Sequence, residues 1–457
     1  MEGQMQFSPV RRLPGLIDGE VVFPYDAQWP QARALFNRRV ERRPLAIVFA
    51  NSRTDVVRTM SYARSQDLRV VVRSGRHSPY GLSLADDSLV LDVSRLRGIH
   101  VAAGQDHAWI EAGVTIGELE SETALWQRAA VLGACPTVSV TGLSLAGGYG
   151  VLARRFGLAC DNVVAARLVT PEGELLECSA DANADILWAL RGGGTGYFGA
   201  VTDLCVRLHR VPQSCLQGGM VFRGAAIVEA FLAVQDVMTA APDTFNMRLL
   251  LNRDPHGGEV TLTVAPLFLG DTDEGMDLLG PVLACGPAST QLGGDTYAQC
   301  QEHAFASFEW LVDGAAWWRT GYRSTPLTES QLRRIVRGLA EAPGPYSRMN
   351  VEFGGGAIDA TAATATAFPH RQQFMNVILV GAWGSDPIEA DAARSWADEA
   401  AAVALPARPG IYAGYLDPNV PDWPAAHYGE NAQALRRLKT RLDPDGRLPG
   451  LGSPDRC

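Results

Sequence analysis

The segment GACPTVSVTGLSLAGGYG, residues 133–150, places Gly133, Gly142, Gly147, Gly148 and Gly150 within eighteen positions. So many positions without Cβ keep side chains off one continuous backbone surface, which suits close approach to something flat or bulky. Two more blocks share this character. RSGRHS, Arg73 to Ser78, follows an apolar run that reads as a strand and is followed by Gly81. A turn of small residues at a strand end lets successive N–H groups converge on an anion such as a diphosphate. The third block, DILWALRGGGTGYFGAV, residues 185–201, contains a GxGxxG at Gly194, Gly196 and Gly199. It follows a helix-like stretch instead of a strand, and no acidic residue stands about 20 positions on, so a Rossmann dinucleotide site is not indicated.

A chain of 457 residues exceeds one ordinary core and suits two lobes with a cleft between them. A formal charge of -10 and a pI of about 5.4 remove any global attraction to nucleic acid or anionic lipid. Of 40 basic residues only Lys439 is a lysine, a bias that fits GC-rich bacterial coding. The N-terminal residues lack the apolar run of an export signal and no stretch is long enough to span a bilayer, so a soluble, cytoplasmic protein is expected, with no membrane partner. The eight cysteines include no CxxC and no histidines at zinc spacing, so no metal site is expected, and most should pack as small apolar residues. Nothing in the sequence specifies an oligomeric state.

Residues 46–211 alternate short β-branched runs with amphipathic stretches. LAIVFA, LRVVVRSG, SLVLDVS and HAWIEAG read as strands; residues 54–66 and 116–128 read as helices. From residue 218 to about 407 longer alternating runs (GGMVFRG, FNMRLLLNRD, EVTLTVAPLF, SRMNVEFGGGAI, FMNVILVGAW) predict an antiparallel sheet covered by helices on one face, one of them at 329–342. The alanine-rich stretch at 360–367 reads as a loop, and residues 431–442 as a closing helix. The fold class is therefore α+β.

Together the three blocks resemble the PCMH-type FAD-binding domain of vanillyl-alcohol-oxidase-type flavoproteins, and their order resembles the berberine-bridge-enzyme-like oxidases over nearly the whole chain. The resemblance implies an FAD-binding domain at 1–212, rejoined by 408–457, and a substrate domain at 213–407. It implies FAD attached covalently through both His77, in RSGRHS, and Cys135, in GACPTV. The diphosphate loop would comprise Arg73, Ser74, Gly75, Arg76, Ser78 and Gly81. The flavin lining would include Val138, Gly142, Gly147, Gly148, Gly150 and Leu152, with Gly199 and Val201 closing over the adenine and diphosphate. The closing motif HYGENAQALRRLKTRLDPDGRL would return Tyr428 and Asn431 to the flavin. Histidine and cysteine suit such bonds, because an unprotonated imidazole and a thiolate are both nucleophiles.

In the family a base opposite the ring removes a proton while hydride passes to flavin N5. Tyr415, in GIYAGYLDPNVPDW, matches the usual base, although Gly414 replaces the asparagine common before it. In AFPHRQQFMNVILVGAW a period of two puts Phe374, Asn376, Ile378 and Val380 on one face, which offers Asn376 but no carboxylate. Glu352, on the preceding strand, is the weaker candidate base. His370 and Arg371 read as structural residues in the strand-entry turn. Val138 stands where a small residue in the family admits O2, and Ser139 where glycine is usual. The implied activity is an oxidase that uses O2 to oxidise a bulky small molecule, an alcohol, amine or activated C–H of a bacterial secondary-metabolite or antibiotic-biosynthesis intermediate, and releases H2O2; a simple sugar is the next substrate class. Rival readings are a flavin dehydrogenase, an oxidative cyclase, or a flavin-bearing protein that sequesters a toxic metabolite.

Overall fold

The computed structural model describes residues 10–253, 258–299, 314–342, 347–384 and 386–451. Cys300 and Cys457 lie outside the described residues, as does the start of the N-terminal segment.

The first lobe holds two main sheets. In the first, β1 (Glu20–Val22) pairs antiparallel to β2 (Ala46–Phe49), which continues in parallel with β3 (Val70–Arg73) and β4 (Leu89–Asp92) in the order β1-β2-β4-β3. β2 and β4 are buried at every position, so they read as unbroken apolar runs rather than alternating ones. The second sheet is antiparallel and combines β5 (Ile99–Val101), β6 (His107–Glu111), β8 (Val163–Val169), β9 (Leu175–Cys178) and β10 (Ala200–Arg207) in the order β5-β6-β10-β8-β9. The short strands β7 (Arg128–Ala129) and β11 (His209–Arg210) pair separately.

Helix α1 (Arg53–Ser65) starts where the Ser52 hydroxyl accepts from the Asp55 N–H. α2 (Ile116–Ala124) begins with a capping box between Thr115 and Glu118. It stops four residues short of the predicted end, because Gln127 takes a left-handed φ of 53° and the chain turns into β7. α3 (Val140–Ala146) is built from the glycine-rich block. Ser139 caps it, and its hydroxyl also donates to the Ala112 carbonyl at 2.9 Å, which accounts for serine at a position expected to be glycine. α4 (Ala184–Leu190) leads through the GxGxxG loop into β10, so that motif joins a helix to a strand in the opposite sense to a Rossmann turn.

The second lobe is one seven-stranded antiparallel sheet. Its strands are β12 (Cys215–Arg223), β13 (Phe245–Arg253), β14 (Val260–Phe268), β15 (Ser289–Asp295), β16 (Ala315–Arg323), β17 (Arg348–Phe353) and β18 (Met375–Trp383), in the order β15-β12-β14-β13-β17-β18-β16. One face packs on α5 (Ala226–Ala240), α6 (Thr272–Leu283), α7 (Glu329–Glu341) and α8 (Pro387–Ala404). Leu249, Leu251, Met349, Val351, Val377 and Leu379 point into that core, each contributing about 1.5–3 kcal/mol by burial. The alternate residues therefore face the first lobe. The chain returns to the first lobe through α9 (Ala432–Leu442), whose Leu435 and Leu438 pack in the same core as β6, β8 and β10.

Candidate active site

The RSGRHS turn leaves β3 with Arg73 fully buried against Asp92 of β4, the guanidinium Nε donating at 2.7 Å. Arg76, held at a left-handed φ of 61°, reaches the same carboxylate at 3.3 Å. Burial pushes Arg73 down to about 10, and Asp92 opposes that loss of charge. Asp92→Asn would strand a buried guanidinium and is expected to lower stability by about 3–5 kcal/mol, read from urea unfolding. Ser74 is tied to the Ala112 carbonyl at 2.8 Å, and Ser78 accepts from the Leu82 N–H at 3.1 Å. Gly75 passes so close to the backbone of Ser139 that a Cβ would lie 2.6 Å from its nitrogen. The turn is thus fixed from below, and its upper surface is left to a groove.

That groove is lined by residues 72–78, Val138, Gly142, Leu145, Gly199, Val201, Tyr412 and Tyr415, among others. A second cavity lies between the glycine-rich block and the sheet of the other lobe, bounded by Gly133, Cys135 and Gly150 on one side and by Arg248, Asn350 and Glu352 on the other. Val138, Leu143, Tyr412 and Tyr415 line both, so the two spaces meet at a common wall. The Tyr412 hydroxyl is pinned there, accepting from the Gly148 N–H at 2.8 Å.

The groove fits FAD. The hydroxyls of Thr141 and Ser83 are buried in its lining with no hydrogen-bond partner among the described residues. A Cβ on Gly142 would meet nothing within 4 Å, and one on Gly196 only Val72 at 3.8 Å, so backbone faces open space where a ligand can lie.

His77 and Cys135, 58 residues apart in sequence, converge on one hydroxyl. Thr137 Oγ1 lies 2.9 Å from His77 Nε2 and 3.5 Å from Cys135 Sγ. The His77 ring stacks on Phe36 at 5.3 Å, and burial pushes its pKa down to about 4, so the imidazole is neutral at physiological pH. Thr137 went unmarked in the sequence; its place between Cys135 and Val138 was the available signal.

Six residues assigned to the flavin from sequence stand behind the groove wall. Gly81 is small because a Cβ would meet Val40 at 2.3 Å; Gly147 and Gly148 would strike Phe368 at 2.8 Å and Ala159 at 2.4 Å. Leu152 is buried with Tyr149 and Leu158 in a separate core. Tyr428 is fully buried beside Trp423 and His427. Asn431 spends its side-chain donors on the carbonyls of Ala363, Thr366 and Ala367, fastening the alanine-rich loop.

On the sheet, Asn376 faces the first lobe, but Phe374, expected on the same face, precedes β18 and packs on the helix side, 5.5 Å from the Phe353 ring. Asn376 donates to Glu352 at 3.0 Å and accepts from Thr320 at 3.1 Å. Burial pushes Glu352 up to about 7, which the Asn376 hydrogen bond and the Arg248 charge partly oppose. Tyr415 packs against Trp318 and Tyr412, with ring centroids 5.2 and 5.1 Å away; burial and then the Glu352 charge push its phenol well above the ordinary tyrosine range. His370 bonds the His427 carbonyl at 2.9 Å, and Arg371 grips Asp161 at 2.7 and 2.8 Å, so both hold the turn together. Among the described residues no group of three His, Cys, Asp or Glu could hold a metal ion, and no helix is long and apolar enough to cross a membrane.

A PCMH-type fold with a ligand groove joined to a second cavity under an antiparallel sheet defines an FAD-binding oxidoreductase. Residues 44–179 match the family described as "FAD binding domain", and residues 411–446 match "Berberine and berberine like". Over these two stretches the chain is similar to the berberine-bridge-enzyme-like FAD-linked oxidoreductases. It is 28% identical over 438 residues to an uncharacterised FAD-linked oxidoreductase of Bacillus subtilis, covering 94% of this chain and 95% of that one. It is 38% identical over 205 residues to (R)-6-hydroxynicotine oxidase of Paenarthrobacter nicotinovorans, which covers 45% of this chain and 44% of that one. In fold it is similar to Physcomitrella patens BBE-like 1, with TM-score 0.88, 23% identity and coverage of 98% and 99%. It is also similar to 6-hydroxy-D-nicotine oxidase from Arthrobacter nicotinovorans, with TM-score 0.85, 25% identity and coverage of 94% and 96%.

Proposed function

We propose that the protein is an O2-using oxidase that carries FAD bonded to His77 and Cys135 and oxidises a bulky small molecule held between the flavin and the β13/β17 surface. The observation that carries this reading is the shared wall: the FAD groove and the second cavity meet at Val138, Leu143, Tyr412 and Tyr415, and Glu352 stands on the far side of the cavity. FAD, when bound, accepts a hydride at N5 and passes two electrons to O2 as H2O2. The chain's own residues supply the rest. Glu352 receives the proton: with its pKa near 7 it is substantially ionised at neutral pH, and Asn376 orients it. Tyr415 remains a neutral phenol that shapes the wall, so the proton acceptor is the carboxylate, reversing the order in which the sequence ranks the two. Val138, in the wall between groove and cavity, is placed to govern O2 access.

Tyr415→Phe is accordingly expected to slow flavin reduction by less than about 10-fold, whereas loss of a general base costs about 10² or more. Anaerobic mixing with candidate alcohols and amines, followed by exposure to air, tests the whole reading. Bleaching of the flavin and then H2O2 equal to substrate consumed is the expected result. Bleaching with electrons passed only to an artificial acceptor would make the protein a dehydrogenase, and tight ligand binding without bleaching would make it a sequestering protein.

A further inference from the structure

The cavity contains a cation that the proposed chemistry does not use. Arg248 of β13 lies directly across from Glu352 of β17 and, with Asn350 and Arg348, on the face turned to the flavin lobe. Despite that register its guanidinium forms neither an ion pair within 4.0 Å nor a hydrogen bond with any described residue. It is half-buried and lines the cavity. Two residues along from Glu352, the Asn350 side-chain oxygen is also buried without a partner among the described residues. Glu352 itself uses one oxygen toward Asn376. Three polar groups on adjacent strands thus face one space without satisfying one another, and unpaired buried polar groups are costly unless a ligand completes them.

Resting on the oxidase reading, we infer that Arg248 binds a carboxylate on the substrate, that the Asn350 side-chain oxygen accepts from a substrate donor, and that the oxidised carbon lies a few bonds away, within reach of Glu352. A single guanidinium matches one carboxylate bidentately. A carboxylate brings less negative charge against Glu352 than a phosphate dianion would. For a hydroxy carboxylate the balance closes. The O–H proton goes to Glu352, the C–H hydride goes to the flavin, C–O becomes C=O, and the carboxylate is unchanged. Burial lowers the pKa of Arg248, and the nearby Glu352 raises it, so a bound anion supports its charge further.

Calorimetric titration of the protein as purified, with phenylacetate and with its neutral counterpart phenylacetamide, tests this without turnover. Phenylacetate is expected to bind at least about 10-fold more tightly than the amide, as for a charge-assisted bidentate contact. Arg248→Gln should bring the two within about 2-fold without weakening the amide, and Arg248→Lys should fall between them. In a Glu352→Gln background the Arg248→Gln loss should persist, which separates an anchoring arginine from one acting only through Glu352. Equal binding of acid and amide, no binding of the acid, or a preference untouched by either Arg248 variant would overturn the inference. A flavin that substrates reduce with no preference for charge would sink the carboxylate site but keep the oxidase. A charge preference through Arg248 without any flavin reduction would do the reverse.

Discussion

Acid precipitation is expected to leave a yellow pellet from the unaltered protein and from His77→Ala and Cys135→Ala, and a colourless one only from the double variant. The geometry behind this is the convergence of two nucleophiles on Thr137 Oγ1 at 2.9 and 3.5 Å. Both face spaces that meet at Val138, so a planar ring crossing from groove to cavity would present adjacent positions of one edge to both side chains. Burial keeps His77 unprotonated down to about pH 4, so its nitrogen lone pair is available throughout the neutral range. Either bond alone holds the flavin through denaturation, because covalent attachment does not depend on the fold. A white pellet from the unaltered protein would refute both bonds; one from a single variant would refute the other residue's bond.

The flavin half of the site was legible because its signals are local. Loops that contour a large ligand need dense glycine, and RSGRHS, GACPTV and the GxGxxG block each declare themselves within a few residues. Glycine is also required where backbone meets protein, and the pattern does not separate the two uses. Gly142 faces open space in the groove, whereas Gly81, Gly147 and Gly148 make room for Val40, Phe368 and Ala159. The sheet half was less legible, because which residues share the cavity depends on register among strands far apart in sequence. Arg248, Asn350 and Glu352 look like unremarkable alternating polar positions until β13 pairs with β17. β15 and β16, both edge strands, were not foreseen either. The proposed function ranks Glu352 above Tyr415, against the order read from sequence, for a related reason. Resemblance identifies a residue by its neighbours in the chain, but the ability to take a proton is set by burial, which raises the phenol out of range and the carboxyl into it.

Glu352→Gln is expected to slow flavin reduction by about 10²-fold or more and to flatten its pH dependence. In the unaltered protein the base must be ionised, so the reductive rate should rise as pH passes upward through about 7 and level off above it. Glutamine is isosteric and can still accept from Asn376, so the variant removes the charge and the proton acceptor while retaining that contact. Stability supplies an independent reading. A carboxyl whose folded pKa is raised from 4.5 to about 7 contributes stability that is complete below 4.5 and lost as pH rises through 7. At pH 8 the ionised Glu352 therefore costs about 3 kcal/mol relative to its neutral form. Glu352→Gln should consequently gain thermal stability over the unaltered protein between pH 5 and pH 8, even as it loses activity. If the reductive rate stayed within a few-fold and Tyr415→Phe abolished it instead, the proton acceptor would be the tyrosine. If the rate fell but the stability difference did not change with pH, Glu352 would not be the group that titrates near 7.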